Sequence, residues 1–77
     1  MNPVDFKIDR DRTLNNIFSR QEELEISNHE LSKRSDLDIT TIYNLRAGRR
    51  TLGLDVLFSL CKALALSMDN TIVEVEK

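Results

Sequence analysis

Residues 27–48 read Ser-Asn-His-Glu-Leu-Ser-Lys-Arg-Ser-Asp-Leu-Asp-Ile-Thr-Thr-Ile-Tyr-Asn-Leu-Arg-Ala-Gly, and local signals within them predict two short helices joined by a tight turn. Its first four residues form a capping box. In it, the Ser27 hydroxyl can accept a hydrogen bond from the Glu30 amide while the Glu30 carboxylate bonds to the Ser27 amide. This pattern predicts a short helix over residues 28–35, with Leu31 on its buried side.

A tight turn and a second short helix follow. Asp36 is suited to a left-handed conformation, because a short polar side chain tolerates it better than most side chains do. Asp38 is a good N-cap residue, and Gly48 stands where a glycine commonly ends a helix. The second helix is therefore predicted over residues 39–47.

The outer face of this second helix is unusual. Ile42 and Leu45 fall on the side that turns toward the core. The opposite side and its edges carry Ile39, Thr40, Tyr43, Asn44 and Ala47. This face has no charge before Arg46, although a helix that only meets solvent is usually rich in Lys and Glu.

Further helices flank this pair. The apolar spacing from Thr13 to about Glu23 predicts one helix before it, and Ser67 is placed to cap a short helix that contains Met68 and Ile72. Between them, a broad apolar stripe predicts a core helix. That stripe consists of Leu54, Leu57, Phe58, Leu60, Cys61 and Leu64.

Both ends of the chain alternate apolar and charged residues, which suits short strands. The apolar members are Val4, Phe6, Ile8, Ile72, Val73 and Val75. We expect residues 1–12 to form an N-terminal arm or short strand and residues 73–77 to form a C-terminal tail. The two stretches can pair as a small ribbon, within one molecule or between two, or they can remain partly ordered.

Composition limits the classes of protein to which the chain can belong. Its 77 residues suit one small domain, and one cysteine with one histidine cannot build a disulfide framework or a four-ligand zinc site. The longest apolar run, Ala63–Leu66, has four residues, far fewer than the roughly 20 that span a bilayer. We therefore expect a cytoplasmic protein with no metal and no cofactor.

Catalysis is not expected either. Cys61 lies on the apolar stripe with no histidine near it in sequence, which favours a small buried hydrophobe over a nucleophile. The acidic residues Glu22, Glu23 and Glu25 indicate a solvated helix end, because no Gly-rich loop accompanies them. His29 is expected to be exposed in the first turn of its helix.

Charge is divided unevenly along the chain. Residues 31–51 carry five basic and two acidic side chains, whereas the parts before and after them are acidic and the formal net charge is −2. A chain that binds polyanions without selectivity is basic throughout. The distribution here predicts one basic face on an otherwise acidic molecule.

The ordered set of these features resembles the phage-repressor and Cro-like helix-turn-helix family, also called the Xre type. The resemblance covers about Leu14 to Ile72. It rests on the runs Ser27-Asn28-His29-Glu30-Leu31-Ser32, Leu37-Asp38, Thr41-Ile42-Tyr43-Asn44-Leu45-Arg46-Ala47-Gly48-Arg49-Arg50, Leu54-Asp55-Val56-Leu57 and Lys62-Ala63-Leu64. It implies an all-α fold, a compact five-helix lambda-repressor-like DNA-binding domain over residues 13–72. Helix 39–47 would lie in the major groove, and helix 28–35 would cross the DNA backbone.

The resemblance also implies which residues contact double-stranded DNA. Those that face bases are Ile39, Thr40, Thr41, Tyr43 and Asn44, and those that face phosphates are Asn28, Arg46, Arg49, Arg50 and Thr51. Asparagine can bond both N6 and N7 of adenine, and Ile and Thr methyl groups can pack on the thymine methyl, so we expect a preference for A·T pairs. Tyr43 can equally lie against a sugar or phosphate, or shield a neighbouring residue.

Four positions depart from the pattern of that family. Glu25 and Asp36 stand where glycine is usual, before the capping box and in the turn respectively. Ser32 replaces an alanine, and Gly53 occupies a position that serine often holds.

The implied function is that of a sequence-specific, repressor-like transcription regulator associated with the nucleoid. A homodimer is expected, because one asparagine cannot specify an operator alone. Phe58, Leu66 and Met68 are among the residues expected to join the two copies. The alternative is an antitoxin-type or other protein-interaction module of the same fold, whose acidic ends bind a basic partner and whose DNA binding is secondary.

Overall fold

Five helices follow one another along residues 8–75, the part of the chain that the computed structural model describes. They are α1 (Arg10–Glu23), α2 (Asn28–Ser35), α3 (Ile39–Arg46), α4 (Leu54–Ala63) and α5 (Met68–Thr71). The prediction of an all-α, five-helix domain is confirmed. Within residues 8–75, no helix has the length and apolar character needed to cross a membrane.

The core is built from one face of each helix. α2 packs against α3 and α4, and α5 packs against α1 and α4. The largest side chains with almost no exposure are Ile17, Leu31, Ile42, Leu45, Leu57, Leu60 and Leu64. Burial of each such side chain contributes roughly 1.5–3 kcal/mol relative to leaving it in water. The predicted inward direction of Ile42 and Leu45 is confirmed.

The predicted core stripe of α4 is wrong at two positions. Leu54 is 61% exposed and Phe58 is 55% exposed. The buried side of this helix consists of Val56, Leu57, Leu60 and Cys61. The apolar stripe is wider than the surface that α2 and α5 cover, so its outer edge faces solvent.

Side-chain caps begin α2 and α3 as predicted. Ser27 Oγ accepts a hydrogen bond from the Glu30 amide at 3.1 Å, and Asp38 Oδ1 accepts one from the Thr40 amide at 2.8 Å. The Glu30 carboxylate, however, bonds to Arg34 Nε at 3.0 Å instead of returning to the Ser27 amide. Residues four apart on a helix lie side by side, so this pairing competes directly with the second half of the capping box.

The first helix begins earlier than predicted. The Asp9 carboxylate accepts a hydrogen bond from the Arg12 amide at 3.1 Å, and α1 therefore starts at Arg10 rather than at Thr13. The alternation of apolar and charged residues near the N-terminus concealed this start. Asp9 is a charged member of the alternating pattern and also a favourable N-cap residue.

Helices α1 to α4 end alike, with a left-handed residue after the final turn. These residues are Glu25, Asp36, Gly48 and Ala65, with φ of 55°, 58°, 76° and 56°. In each case the next amide bonds to the carbonyl five residues back, at Gln21, Ser32, Asn44 and Cys61. This is the Schellman arrangement, which satisfies carbonyls that a helix end leaves free. The predicted left-handed conformation of Asp36 is confirmed, and Glu25 adopts the conformation of the glycine that it replaces.

A polar stripe on α1, made of Thr13 and Asn16 and preceded by the cap Asp9, holds the last described segment of the chain. The Asp9 amide donates to the Val73 carbonyl at 2.7 Å, and the Val73 amide donates to Thr13 Oγ1 at 3.0 Å. Asn16 Nδ2 donates to the Thr71 carbonyl at 3.0 Å. The segment after α5 is therefore fixed to α1 through its main chain.

The predicted pairing of the two ends occurs within one molecule, as a single antiparallel bridge between Ile8 and Glu74. Val4 and Phe6, which the alternating pattern assigns to the same ribbon, lie outside the described residues.

Candidate nucleic-acid interface

Helix α3 presents to solvent the face predicted from the sequence. Ile42 and Leu45 are buried behind it, whereas Thr40, Tyr43 and Ala47 are exposed. The residues at the edges of this face, Ile39, Thr41 and Asn44, are partly buried. All five residues predicted to contact bases are therefore at least partly exposed on α3.

The first turn of α3 fixes the proton of the Thr40 hydroxyl. Thr40 Oγ1 donates to Asp38 Oδ1 at 2.6 Å, and the Thr40 amide donates to the same oxygen. These bonds from the hydroxyl and the amide hold the pKa of the Asp38 carboxyl below its ordinary value. Since a threonine hydroxyl has only one proton, Thr40 offers lone pairs and a methyl group to anything that approaches α3.

The basic loop after α3 starts from a fixed backbone. The Gly48 amide bonds to the Leu45 carbonyl at 3.3 Å, and the Arg49 amide bonds to the Asn44 carbonyl at 2.9 Å. At the equivalent position after α1, α2 and α4 the chain has an apolar residue, namely Ile26, Leu37 and Leu66. After α3 that position is the exposed Arg49, so the loop presents a cation there.

Arg10 of α1 ties this loop to the rest of the domain. Its guanidinium donates from Nε to the Arg50 carbonyl at 2.9 Å and from a terminal nitrogen to the Leu45 carbonyl at 2.7 Å. The second contact places a positive charge at the C-terminus of α3, where the helix dipole favours it. Arg49, Arg50 and the following Thr51 are exposed on the loop that these bonds hold.

A buried glutamine connects α1, α2 and α3. Gln21 is 3% exposed, and its Nε2 donates to the Ile26 carbonyl at 2.9 Å and to Asn28 Oδ1 at 3.0 Å. Its Oε1 accepts a hydrogen bond from the Arg46 guanidinium, which also lies 4.0 Å from the centre of the Phe18 ring. Two residues predicted to contact phosphate, Asn28 and Arg46, are thus brought to opposite ends of one side chain.

The sequence did not identify Arg10 or Gln21 as residues that support this surface. Gln21 could be placed on the inner side of the first helix from its spacing, but its partners could not. Arg10 gives no local signal, because its partners lie thirty-five and forty residues away in the chain.

The cysteine, the histidine and the acidic residues that were weighed as catalytic groups lie where the sequence predicts. Cys61 is buried at 1% exposure, and burial raises the pKa of its thiol. His29 and the acidic residues Glu22, Glu23 and Glu25 are exposed. Within residues 8–75, no three histidine, cysteine or acidic side chains are grouped as metal ligands would be.

Known proteins share both the sequence pattern and the fold. Residues 19–70, more than half of the chain, match the family model described as HTH_3, helix-turn-helix. A search of curated proteins finds no match to the chain.

Among solved structures, the crystal structure of the wild-type restriction-modification controller protein C.Esp1396I is similar to this one. The TM-score is 0.74 and the sequence identity 22%, with 80% of each chain covered. At that identity the likeness shows the fold. With the match over residues 19–70 and the exposed face of α3, it follows that the chain belongs to the HTH_3 family, the Xre-type helix-turn-helix proteins, which are DNA-binding transcription regulators.

Proposed function

We propose that this protein is a sequence-specific, repressor-like regulator that binds double-stranded DNA as a homodimer and inserts α3 into the major groove. The observation that carries the proposal is the outer face of α3, which is exposed and carries no charge before Arg46, with the Arg49-Arg50 loop directly after it. A polar, uncharged helix face beside a cationic loop suits a duplex, which offers base edges in the groove and phosphates along its rim.

Asn44 is the main residue proposed to contact bases. Its amide can bond N6 and N7 of one adenine, and a good bidentate pair of this kind contributes roughly 1–3 kcal/mol of discrimination. Ile39, Thr40 and Thr41 add methyl groups that pack on thymine. Because the Thr40 proton is already given to Asp38, the Thr40 hydroxyl would accept a hydrogen bond from a base rather than donate one.

Tyr43 is proposed to lie against the same groove. It is 46% exposed in the middle of the outer face of α3. There its ring can contact either a base edge or the adjoining sugar.

The phosphate contacts are proposed for Asn28, Arg49, Arg50 and Thr51. The two arginines suit phosphate because a guanidinium offers several N–H donors in a fixed plane. Arg46 has a different part in the proposal, since its guanidinium is held by Gln21 and Phe18. Arg46 can donate to a phosphate only those N–H groups that do not already contact Gln21 or Phe18.

A second copy is needed for useful affinity. With few cations at the interface, one copy should bind random DNA with a Kd on the order of 10⁻⁴ to 10⁻⁶ M at physiological salt. Two copies on a two-fold symmetric operator double both the base and the phosphate contacts. Leu54 and Phe58 of α4 are exposed apolar side chains that a second copy can cover. Leu66, on the connection to α5, and Met68, the first residue of α5, are partly buried.

Selection of bound sequences from a pool of random duplexes tests the proposal, followed by variants on the selected site. Asn44→Ala should relax the preference at one base pair, whereas Arg50→Ala should weaken all duplexes alike and reduce the slope of log K against log salt by about one. Lys62→Ala, which removes one charge from α4, serves as the control. No enrichment over random DNA would contradict the proposal.

A protein-interaction module of the antitoxin type is the second candidate. The exposure of Leu54 and Phe58 favours it, because the two lie four residues apart on one face of α4 and a contiguous exposed apolar patch often marks a protein contact. If the duplex pool yields no enriched sequence while the protein retains its fold, this alternative gains support. Loss of a partner on Phe58→Ser would then identify the contact surface.

A further inference from the structure

We propose that Gln21 is a positioning residue that determines which end of the Asn28 amide faces DNA. This inference rests on the proposed function, because it assigns the orientation of one phosphate-contacting group. The contact itself belongs to Asn28, at the first position of α2. Gln21 acts on the duplex only through it.

The orientation of the Gln21 amide is determined by its neighbours. Its oxygen faces the Arg46 guanidinium, which can only donate hydrogen bonds, and its nitrogen faces the Ile26 carbonyl, which can only accept. A rotated Gln21 amide would bring two donors together at Arg46 and two acceptors together at Ile26. In a side chain that is 3% exposed, water cannot repair either clash.

The same logic extends to Asn28. The second proton on Gln21 Nε2 is given to Asn28 Oδ1 at 3.0 Å, so the oxygen of the asparagine amide is directed inward. The Nδ2 group, with two donors, then occupies the other end of the amide on a partly exposed residue. A phosphate oxygen only accepts hydrogen bonds, so this is the orientation that phosphate requires.

The residues therefore form a directional series of hydrogen bonds that starts at Arg46. Arg46 donates to Gln21, Gln21 donates to Asn28, and Asn28 is left to donate outward. The C-terminus of α3 and the N-terminus of α2 are coupled through this series. The fold thus sets the direction of the asparagine amide before DNA arrives, which avoids the entropic cost of ordering it on binding.

Gln21→Glu reverses the series with little change in shape. A glutamate at this position still accepts from Arg46, but it can donate neither to the Ile26 carbonyl nor to Asn28 Oδ1. The loss at Ile26 is the same in both Asn28 backgrounds, so it cancels in a double-mutant cycle. The Asn28 amide should then rotate and donate Nδ2 to the glutamate, which turns its oxygen toward the phosphate. Gln21→Met, in contrast, removes both the acceptor for Arg46 and the donor to Asn28, so the Asn28 amide can adopt either orientation.

The experiment is a double-mutant cycle on the full chain, with Gln21→Glu and Asn28→Ala measured alone and together. Binding to a random-sequence duplex at fixed salt is the assay, because a phosphate contact does not depend on sequence. Gln21→Glu alone should weaken binding about 10-fold, the size expected for losing one hydrogen bond to a charged group. In the Asn28→Ala background it should weaken binding no more than about 2-fold, the part due to the added negative charge. Gln21→Met alone should weaken binding by a factor between these two losses.

The side-chain amide of Asn28, followed by NMR in the free protein, gives a readout that a merely structural role would not move. Its Nδ2 protons should exchange with water readily in the wild type and slowly in Gln21→Glu, where they are hydrogen-bonded internally. Equal losses of affinity for Gln21→Glu in both backgrounds, or unchanged Nδ2 exchange, would overturn the inference. So would an Asn28→Ala variant that binds like the wild type, and this outcome leaves the proposed function standing. A wild-type chain that binds no duplex overturns both.

Discussion

Replacement of Arg10 by methionine is expected to release the loop that follows α3. The change removes two hydrogen bonds from a guanidinium to main-chain carbonyls, at 2.9 Å to Arg50 and 2.7 Å to Leu45. Hydrogen bonds to a charged group contribute about 1.5–3 kcal/mol each. The Arg10 side chain is 27% exposed, so water replaces part of that loss, and methionine keeps the aliphatic packing. We therefore expect the free energy of unfolding to fall by about 2 kcal/mol.

Urea denaturation measures this loss. For a domain of this size the dependence of the unfolding free energy on urea is about 1 kcal/mol per molar, so the midpoint should fall by about 2 M. Arg12→Met is the matched control, because Arg12 lies two positions away, is largely exposed and faces Asp9 at 3.6 Å. Such surface pairs contribute only about 0–1 kcal/mol. If both variants unfold at the same urea concentration, Arg10 does not hold the loop and the reasoning is refuted.

Arg10→Met should also weaken binding to all duplexes, since the loop it releases carries two arginines that are proposed to contact phosphate. The loss should be independent of sequence, like that of Arg50→Ala. Retention of full affinity in a less stable variant would show that the loop needs no support from α1.

Three further predictions concern backbone strain, burial and charge. Ala65→Gly should raise the unfolding free energy by about 1 kcal/mol and the Tm by several degrees, because Ala65 is exposed with φ 56°. Gly48→Ala should lower the unfolding free energy by a similar amount, about 1 kcal/mol, although no atom lies within 4 Å of the added Cβ. Thermal melts of both variants measure these changes. A Gly48→Ala variant as stable as the wild type would contradict the argument from backbone strain. The Cys61 thiol should react slowly with a thiol reagent at pH 8 in the folded protein and rapidly in urea, because it is buried and burial raises its pKa. Fast labelling without urea would contradict this prediction and show that the core opens locally. The Asp38 carboxyl has a lowered pKa in the folded state, so its contribution to the unfolding free energy is present above its ordinary pKa of about 4 and is lost as the pH falls through the folded pKa. In Asp38→Asn the unfolding free energy should therefore depend less steeply on pH in the acid range. An unchanged pH dependence would refute this assignment.

The helix-turn-helix segment was predictable because its signals are local. The cap at Ser27, the left-handed Asp36 and the cap at Asp38 each depend on bonds spanning five residues or fewer. The 3.6-residue period then places Ile42 and Leu45 inward and leaves the other face of α3 to solvent. These features are determined by the residue type and its immediate neighbours, so one sequence is enough to find them.

The contacts that support the surface were not predictable in the same way. Arg10 reaches carbonyls on α3 and beyond it, and Gln21 bonds to three different parts of the chain, so both depend on the packed arrangement of the helices. The left-handed Ala65 gives no signal either, because alanine has no preference for that conformation. Leu54 and Phe58 were misplaced since spacing shows which residues are apolar but not how much of a helix its neighbours cover.

The attachment of the last described segment to α1 gives the domain an edge that tolerates sequence change. Asp9, Thr13 and Asn16 grip that segment by main-chain atoms, and the side chains of Glu74 and Val75 remain exposed. Mutations of these exposed side chains can therefore change the chemistry of this border, and any assembly that uses it, without removing the hydrogen bonds that hold the main chain in place.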